Sequence, residues 1–445
     1  MNTPVTPWLQ AKLPQALPGN HLPWLRQARK TALERCMAQG LPTTRDEEWK
    51  YTDVAAIGRR ANLAPGNTVP TAVDGTALHE WLLPQENAAL LVFVNGHYQP
   101  GLSNLSALPA GVQLHNLAQQ IDLDPAMLQP FLGNKIMDDG GVAQNVFDSL
   151  NAAFATDGAV LHLASDTRLA APIYLLHIAN GAGAAIYPRH VIVAEAGAQA
   201  TVIEHYVGTA GAANFTNVMT QISLAAGAGL EHYKLLEEDG AAYHIGGIHA
   251  RQAAGSRFAS HSFAVGGRLS RNQITTLLAE DGSECLFNGL YLASGRQHID
   301  HHTRIEHAAP GCTSRQYYRG ILDGAGRGVF NGKVIVRQGA MKTDAHQANN
   351  TLLLSRQAEM DTKPQLEIFA DDVKCTHGAT VGPLDEDMLF YLRSRGVDAV
   401  LAKALLGYGF AHDVIDRVSL PALRARMEKI LLARLPQGAM LEELL

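Results

Sequence analysis

The chain has 445 residues, 47% of them apolar and only 18% charged, which supplies a large packed core and excludes wholesale disorder. Its 36 basic and 42 acidic residues give a net charge of −6 with no basic stripe, which argues against a nucleic-acid partner. Four cysteines (Cys36, Cys285, Cys312 and Cys375) lie far apart with no CxxC pair, excluding a disulfide scaffold and a self-contained zinc or ferredoxin site.

Residues 1–7 carry neither a basic nor an apolar targeting region, and no run approaches ~18 consecutive apolar residues. No membrane span is expected, and the chain reads as cytoplasmic. Its length allows roughly two to four domains. Residues 22–40 predict a helix, with Trp24, Leu25, Ala28, Leu33, Met37 and Ala38 as an approximate stripe and Gly40 suited to the position after its end. A polar segment follows. Residues 61–125 mix short apolar runs such as 90–94 with Pro and Gly, and 142–156 predict one more helix. Residues 1–156 thus read as an N-terminal helical and α+β region.

From 157 to 383 short β-favouring runs recur, at 160–163, 173–178, 190–193, 201–206, 221–224 and 333–336. Between them sit Gly197, Gly227, Gly255, Gly282, Gly311 and Gly339, spaced 30, 28, 27, 29 and 28 residues apart. A near-constant interval of this size fits a solenoid whose coils bury their apolar sides against one another. Strand-only coils with small corners favour a β-helix over helical repeats, with an ordinary β-sandwich as the alternative. Residues 384–445 predict a helical domain. Asp385 caps a helix with Glu386 and Asp387 in its first turn, Arg393 and Arg395 near its end, and Gly396 as its stop. Ser419 is expected to cap another, with Leu420, Leu423, Met427, Ile430, Leu431 and Leu435 on one face.

Two constellations carry potential chemistry. In Gln297-His298-Ile299-Asp300-His301-His302-Thr303, with Glu306 and His307 behind, imidazoles and carboxylates suit zinc, iron or manganese. Strand alternation would put His298, Asp300 and His302 on one face and His301 on the other, and ligands at i, i+2 and i+4 span about 13 Å, more than one ion bridges directly. The cluster is therefore either a hydrogen-bonded polar ladder or the centre of a metal-dependent β-helix enzyme. In the second constellation, Asp371-Asp372-Val373-Lys374-Cys375-Thr376-His377-Gly378, a thiol and an imidazole two residues apart share a face if extended. Thiolate and neutral imidazole both ligate iron, but one of each is too few to hold a cluster. No phosphate loop, GxGxxG, GxSxG or HExxH occurs, which removes the corresponding ATPase, dehydrogenase, serine hydrolase and zincin readings.

Three segments resemble the SufB/SufD family of the SUF iron–sulfur cluster assembly system. They are Glu47-Glu48-Trp49-Lys50-Tyr51-Thr52; Phe330-Asn331-Gly332-Lys333-Val334 with 343–355; and the run from Glu367 to Gly382, continuing from Asp385 to Gly396. Where the SufB branch carries a cysteine in a TQCDS-like segment, this chain reads His346-Gln347-Ala348-Asn349-Asn350, which is similar to the SufD branch. The resemblance implies a mainly β fold, a right-handed parallel β-helix flanked by an N-terminal helical region and a C-terminal helical domain. It implies a non-catalytic scaffold subunit, paired with SufB and with the SufC ATPase docked on the C-terminal helices around Asp385, Leu389 and Leu392. ATP hydrolysis would belong to SufC. Nascent clusters would form at the SufB–SufD interface, with His377, and Cys375 beside it, as this chain's contribution and His377 as an iron ligand completed by the partner. No permanently bound cofactor is implied beyond that transient cluster, a flavin in the complex is admitted, and the isolated chain could pair with itself. The ligand deficit read from the residues fits this picture, because a half-site needs a second subunit.

Overall fold

The computed structural model describes residues 17–60, 73, 78–83, 89–105, 108–133, 145–181, 183–211, 213–436 and 438–442. The segments 1–7, 61–72 and 142–144 read from the sequence lie outside them. Among the described residues, no helix is long and apolar enough to cross a membrane.

From Ala159 to Gly382 the chain winds as a β-solenoid whose strands are shared between two ten-stranded sheets. Each strand pairs in parallel with the strand one coil earlier. Gly229 pairs with Arg257, Arg257 with Glu284 and Glu284 with Thr313, offsets of 28, 27 and 29 residues. The glycine interval is therefore the coil length. All six corner glycines sit at φ between 62° and 92°, where a side chain would be strained. The N-terminal region also supplies strands. Ala89–Val94 pairs in parallel with Ile173–Ala179, and Val112–Asn116 antiparallel with Ala159–Leu163.

Burial follows from this winding. Inward apolar residues of both sheets, among them Leu175, Val202 and Leu230 with Ile222, Ile248 and Ile274, form one continuous core. The outer face of the second sheet is covered by helices Pro23–Gln39 and Val146–Phe154, where Ala32, Cys36 and Phe147 meet Phe215, Tyr243 and Ile245. The first helix ends at Gly40 as the sequence predicts, but its buried stripe runs Leu25, Arg29, Ala32, Cys36, and Met37 is exposed. Arg29 can face inward because its guanidinium donates to Asn20 Oδ1 at 3.0 Å and to the Ala155 carbonyl at 3.4 Å.

The C-terminal helices cover the outer face of the first sheet, Leu401, Ala404, Val414 and Met427 packing with Ile203, Tyr233, Leu290 and Ile321. Asp385 caps helix Glu386–Ser394, accepting from the amides of Asp387 and Met388. Ser419 does not cap the helix after it. That helix, Pro421–Arg434, starts at Leu420 with proline in its first turn, while the Ser419 hydroxyl donates to Glu231 at 2.8 Å. A proline at the first helical position needs no cap for its missing N–H, which frees the serine to tie the helical unit to the solenoid.

Candidate functional site at the open end of the solenoid

The last coil consists of Glu359–Ile368, which ends one sheet, and Val373–Gly382, which ends the other. Among the described residues each pairs on one side only, with Arg327–Val336 and Thr343–Leu353 respectively. Neither strand holds a fully buried residue. Pro364 fits such a position, because proline is tolerated on edge strands. Met341, Ile368, Phe369 and Val381 are exposed around this end. A bare sheet edge with unpaired backbone groups and apolar neighbours is a template for another chain.

Cys375 and His377 lie on the final strand. In the strand beneath, Thr343, Ala345, Gln347, Asn349 and Thr351 are the buried, inward positions. Cys375 is in register with Ala345 and His377 with Gln347, so both continue inward columns that stop at the open end. Their α-carbons are about 7 Å apart by strand geometry. Cys375 packs against Val334, Val336 and Ala345 and is half-buried, whereas His377 is exposed. Burial, with the Asp344 carboxylate adding to it, raises the Cys375 thiol above its ordinary value of 9.0. The thiol is therefore protonated at neutral pH in the isolated chain, and a metal ion or a neighbouring cation is needed to generate the thiolate. Gln347, beneath His377, is completely buried with neither amide atom hydrogen-bonded among the described residues, and the sequence reading passed it over.

The His298–His307 cluster behaves otherwise. His298, Asp300 and His302 do share the outer face and His301 turns inward, where both its ring nitrogens lack partners among the described residues. The outer set is occupied by the N-terminal motif. Arg271 donates to Asp300 at 2.8 Å and to the Glu48 carbonyl at 2.8 Å, and stacks on the buried Trp49 ring at 3.7 Å. Thr52 donates to Asp300, and Lys363 of the last coil pairs with Glu47 at 2.9 Å. Although burial opposes it, His302 and Arg271 hold the Asp300 carboxyl well below the ordinary carboxylate range. Among the described residues, no three His, Cys, Asp or Glu side chains are grouped to hold a metal ion. The cluster is a structural latch that fastens the motif to the solenoid.

Of the three C-terminal residues singled out, Asp385 is exposed, and Leu389 and Leu392 are half-buried. The side chains that helix Glu386–Ser394 presents outward are Met388, Phe390 and Tyr391, 56%, 74% and 57% exposed. An i/i+3 pattern marks the face a helix turns to its own fold, so it selects the packed leucines and passes over the outward residues.

Comparison with known proteins identifies the family. Residues 177–410 match the family described as SUF system FeS cluster assembly, SufBD core domain, and residues 11–175 match the SufBD protein N-terminal region. The chain is 35% identical to the iron–sulfur cluster assembly protein SufD of Escherichia coli, over 92% of each chain. It is 33% identical to an iron–sulfur cluster assembly SufBD family protein of Synechocystis, over 96% of this chain and 95% of that one. It is 24% identical to SufD of Bacillus subtilis, over 92% and 93%.

Proposed function

The chain belongs to the SufBD family of the SUF iron–sulfur cluster assembly system, and from that premise we propose that it is a scaffold subunit whose open solenoid end pairs with a SufB-type paralogue. One observation carries the reading. The inward columns end at Cys375 and His377 on a bare sheet edge, a donor set too small for a cluster and placed where a second solenoid would abut. The nascent cluster is the cargo of this junction, and iron at His377 would be completed by the partner's ligands. The exposed Met388, Phe390 and Tyr391 of the helix that follows Val373–Gly382 are the docking face for a SufC-type ATPase, which would perform the hydrolysis. Movement of that helix would strain the strand joined to it through Pro383 and Leu384, coupling nucleotide state to the shared pocket. In isolation the same edge would pair two copies of this chain.

The test is co-expression with the paralogue and the ATPase, followed by iron and sulfide analysis of the purified complex. His377→Ala is expected to abolish most cluster content while the complex and the thermal transition of this subunit persist. His302→Ala should act through stability instead. Unchanged iron and sulfide in a Cys375/His377 double alanine would show that these residues only shape the interface.

A further inference from the structure

A second recess lies beside the latch, on the outer face of the second sheet, and reaches the last coil at Gln365. It encloses about 170 Å³ between the N-terminal motif and the outer face of the second sheet. Its walls hold more hydrogen-bond donors than the fold uses. The Arg304 Nε is buried without a partner among the described residues, its Nη2 being taken by Glu306 at 3.1 Å. Asn331 is 6% exposed and its amide makes no hydrogen bond among the described residues, although it lines the recess. Among the described residues, Gln273 accepts from Asn145 through its oxygen and its amide N–H groups are unused, and Gln365 makes no side-chain bond. Lys333 spends one contact on Glu367 at 2.6 Å and has further N–H bonds to give. Arg271 is fixed by Asp300 and Trp49 and forms a rigid floor.

We propose that this recess binds a small, doubly charged oxyanion of the size of inorganic phosphate. Convergent, partly buried N–H donors with cationic neighbours are the chemistry that recognises such a group, and unmet buried donors are costly without it. The lining carboxylate is Glu48, which sits 65% exposed at the rim, turned to His302 Nδ1 at 3.5 Å. That contact holds Glu48 ionised, so it opposes the anion and limits the affinity.

Calorimetric titration of the intact chain with sodium phosphate, against sodium chloride at equal ionic strength, tests the proposal. One saturable phosphate site is expected. Lys333→Met and Gln365→Ala should each weaken it about tenfold, the loss of a charge-assisted or a neutral donor in an enclosed site. Glu48→Gln should tighten binding severalfold, and because Glu48 is an exposed rim residue this variant remains informative if the others fold poorly. Absence of a saturable phosphate signal, or equal affinity in wild type and Glu48→Gln, overturns the assignment.

Discussion

The two ends of the solenoid are built in opposite ways. At the first coil each sheet ends in an antiparallel strand supplied by the N-terminal region. His97–Tyr98 folds back antiparallel on Ala89–Val94, and Val112–Asn116 does the same on Ala159–Leu163. Helices Leu117–Leu123 and Pro125–Leu132 then lay Leu117, Ile121 and Leu128 over Val160 and Val191. At the last coil neither sheet is continued by the described residues, and apolar side chains remain exposed. A stacked repeat needs a cap at each terminus to remain soluble and to shield its edges. The end that carries Cys375 and His377 is thus the one where a cap from another chain would fit, as the proposed pairing requires.

The contrast is sharpest in the core. Phe93 at the closed end is fully buried and stacks on His177 at 4.8 Å. Phe93→Ala should cost about 3–5 kcal/mol in urea denaturation, through lost transfer energy and the cavity left behind. Val381→Ala on the final strand removes a side chain that is 42% exposed, and should cost less than about 1 kcal/mol in the isolated chain. If the partner caps this end, the same Val381→Ala should weaken association measurably. Equal costs at the two ends would mean that the final coil is already closed in the free chain.

Acid gives the next effect. Burial lowers His190, His301 and His307 to about 4 and His261 to about 3, from an ordinary 6.5, and pushes His177 well down. Between pH 6.5 and about 4 the unfolded chain therefore binds protons that the fold excludes, so stability is present above 6.5 and is lost as pH falls through that window. Each such histidine adds about 1.4 kcal/mol per pH unit to the slope. Denaturation midpoints at pH 7, 6 and 5 should fall steadily, and His190→Gln should remove about one proton from the slope. A flat profile would show that these interior columns admit solvent.

These buried polar columns also explain what the sequence concealed. The runs at 173–178 and 221–224 are apolar enough to announce strands, and the glycine period announces the coil. The strands Gly229–Glu237, Arg257–Ala264 and Leu269–Leu278 carry no such signal, because their inward positions include His232, Lys234, Ser260, Ser262 and Asn272. Those groups are satisfied by side chains on other strands, within a coil and across coils. Glu204 accepts from Tyr206, Thr220 and His232, and Lys234 donates to Asn272 at 2.9 Å. Alternation of apolar and polar residues marks a strand only when the buried face is dry. The spacing of Cys375 and His377 was legible as a shared face, but the bareness of the edge beneath them was not, since it depends on where winding stops. The latch was misleading in the same way: Asp300 looks like a ligand until Arg271 and Thr52, distant in sequence, are seen to occupy it.

The smallest perturbation probes the open end without disturbing it. Cys36, Cys285 and Cys312 are buried, and Cys375 is half-exposed at the last strand. Because burial keeps its thiol above 9.0, and the thiolate is the reacting species, alkylation of the native chain by iodoacetamide should be slow at pH 7. The rate should climb about tenfold per pH unit until that value is passed. Mass spectrometry should locate the first adduct at Cys375, and Cys375→Ser should remove it with less than about 0.5 kcal/mol change in stability. Adding the paralogue should suppress the reaction at every pH if its solenoid covers this strand. Rapid labelling at pH 7 in the free chain would instead mean that this end activates its own thiol, and the half-site would then need no second subunit to become reactive.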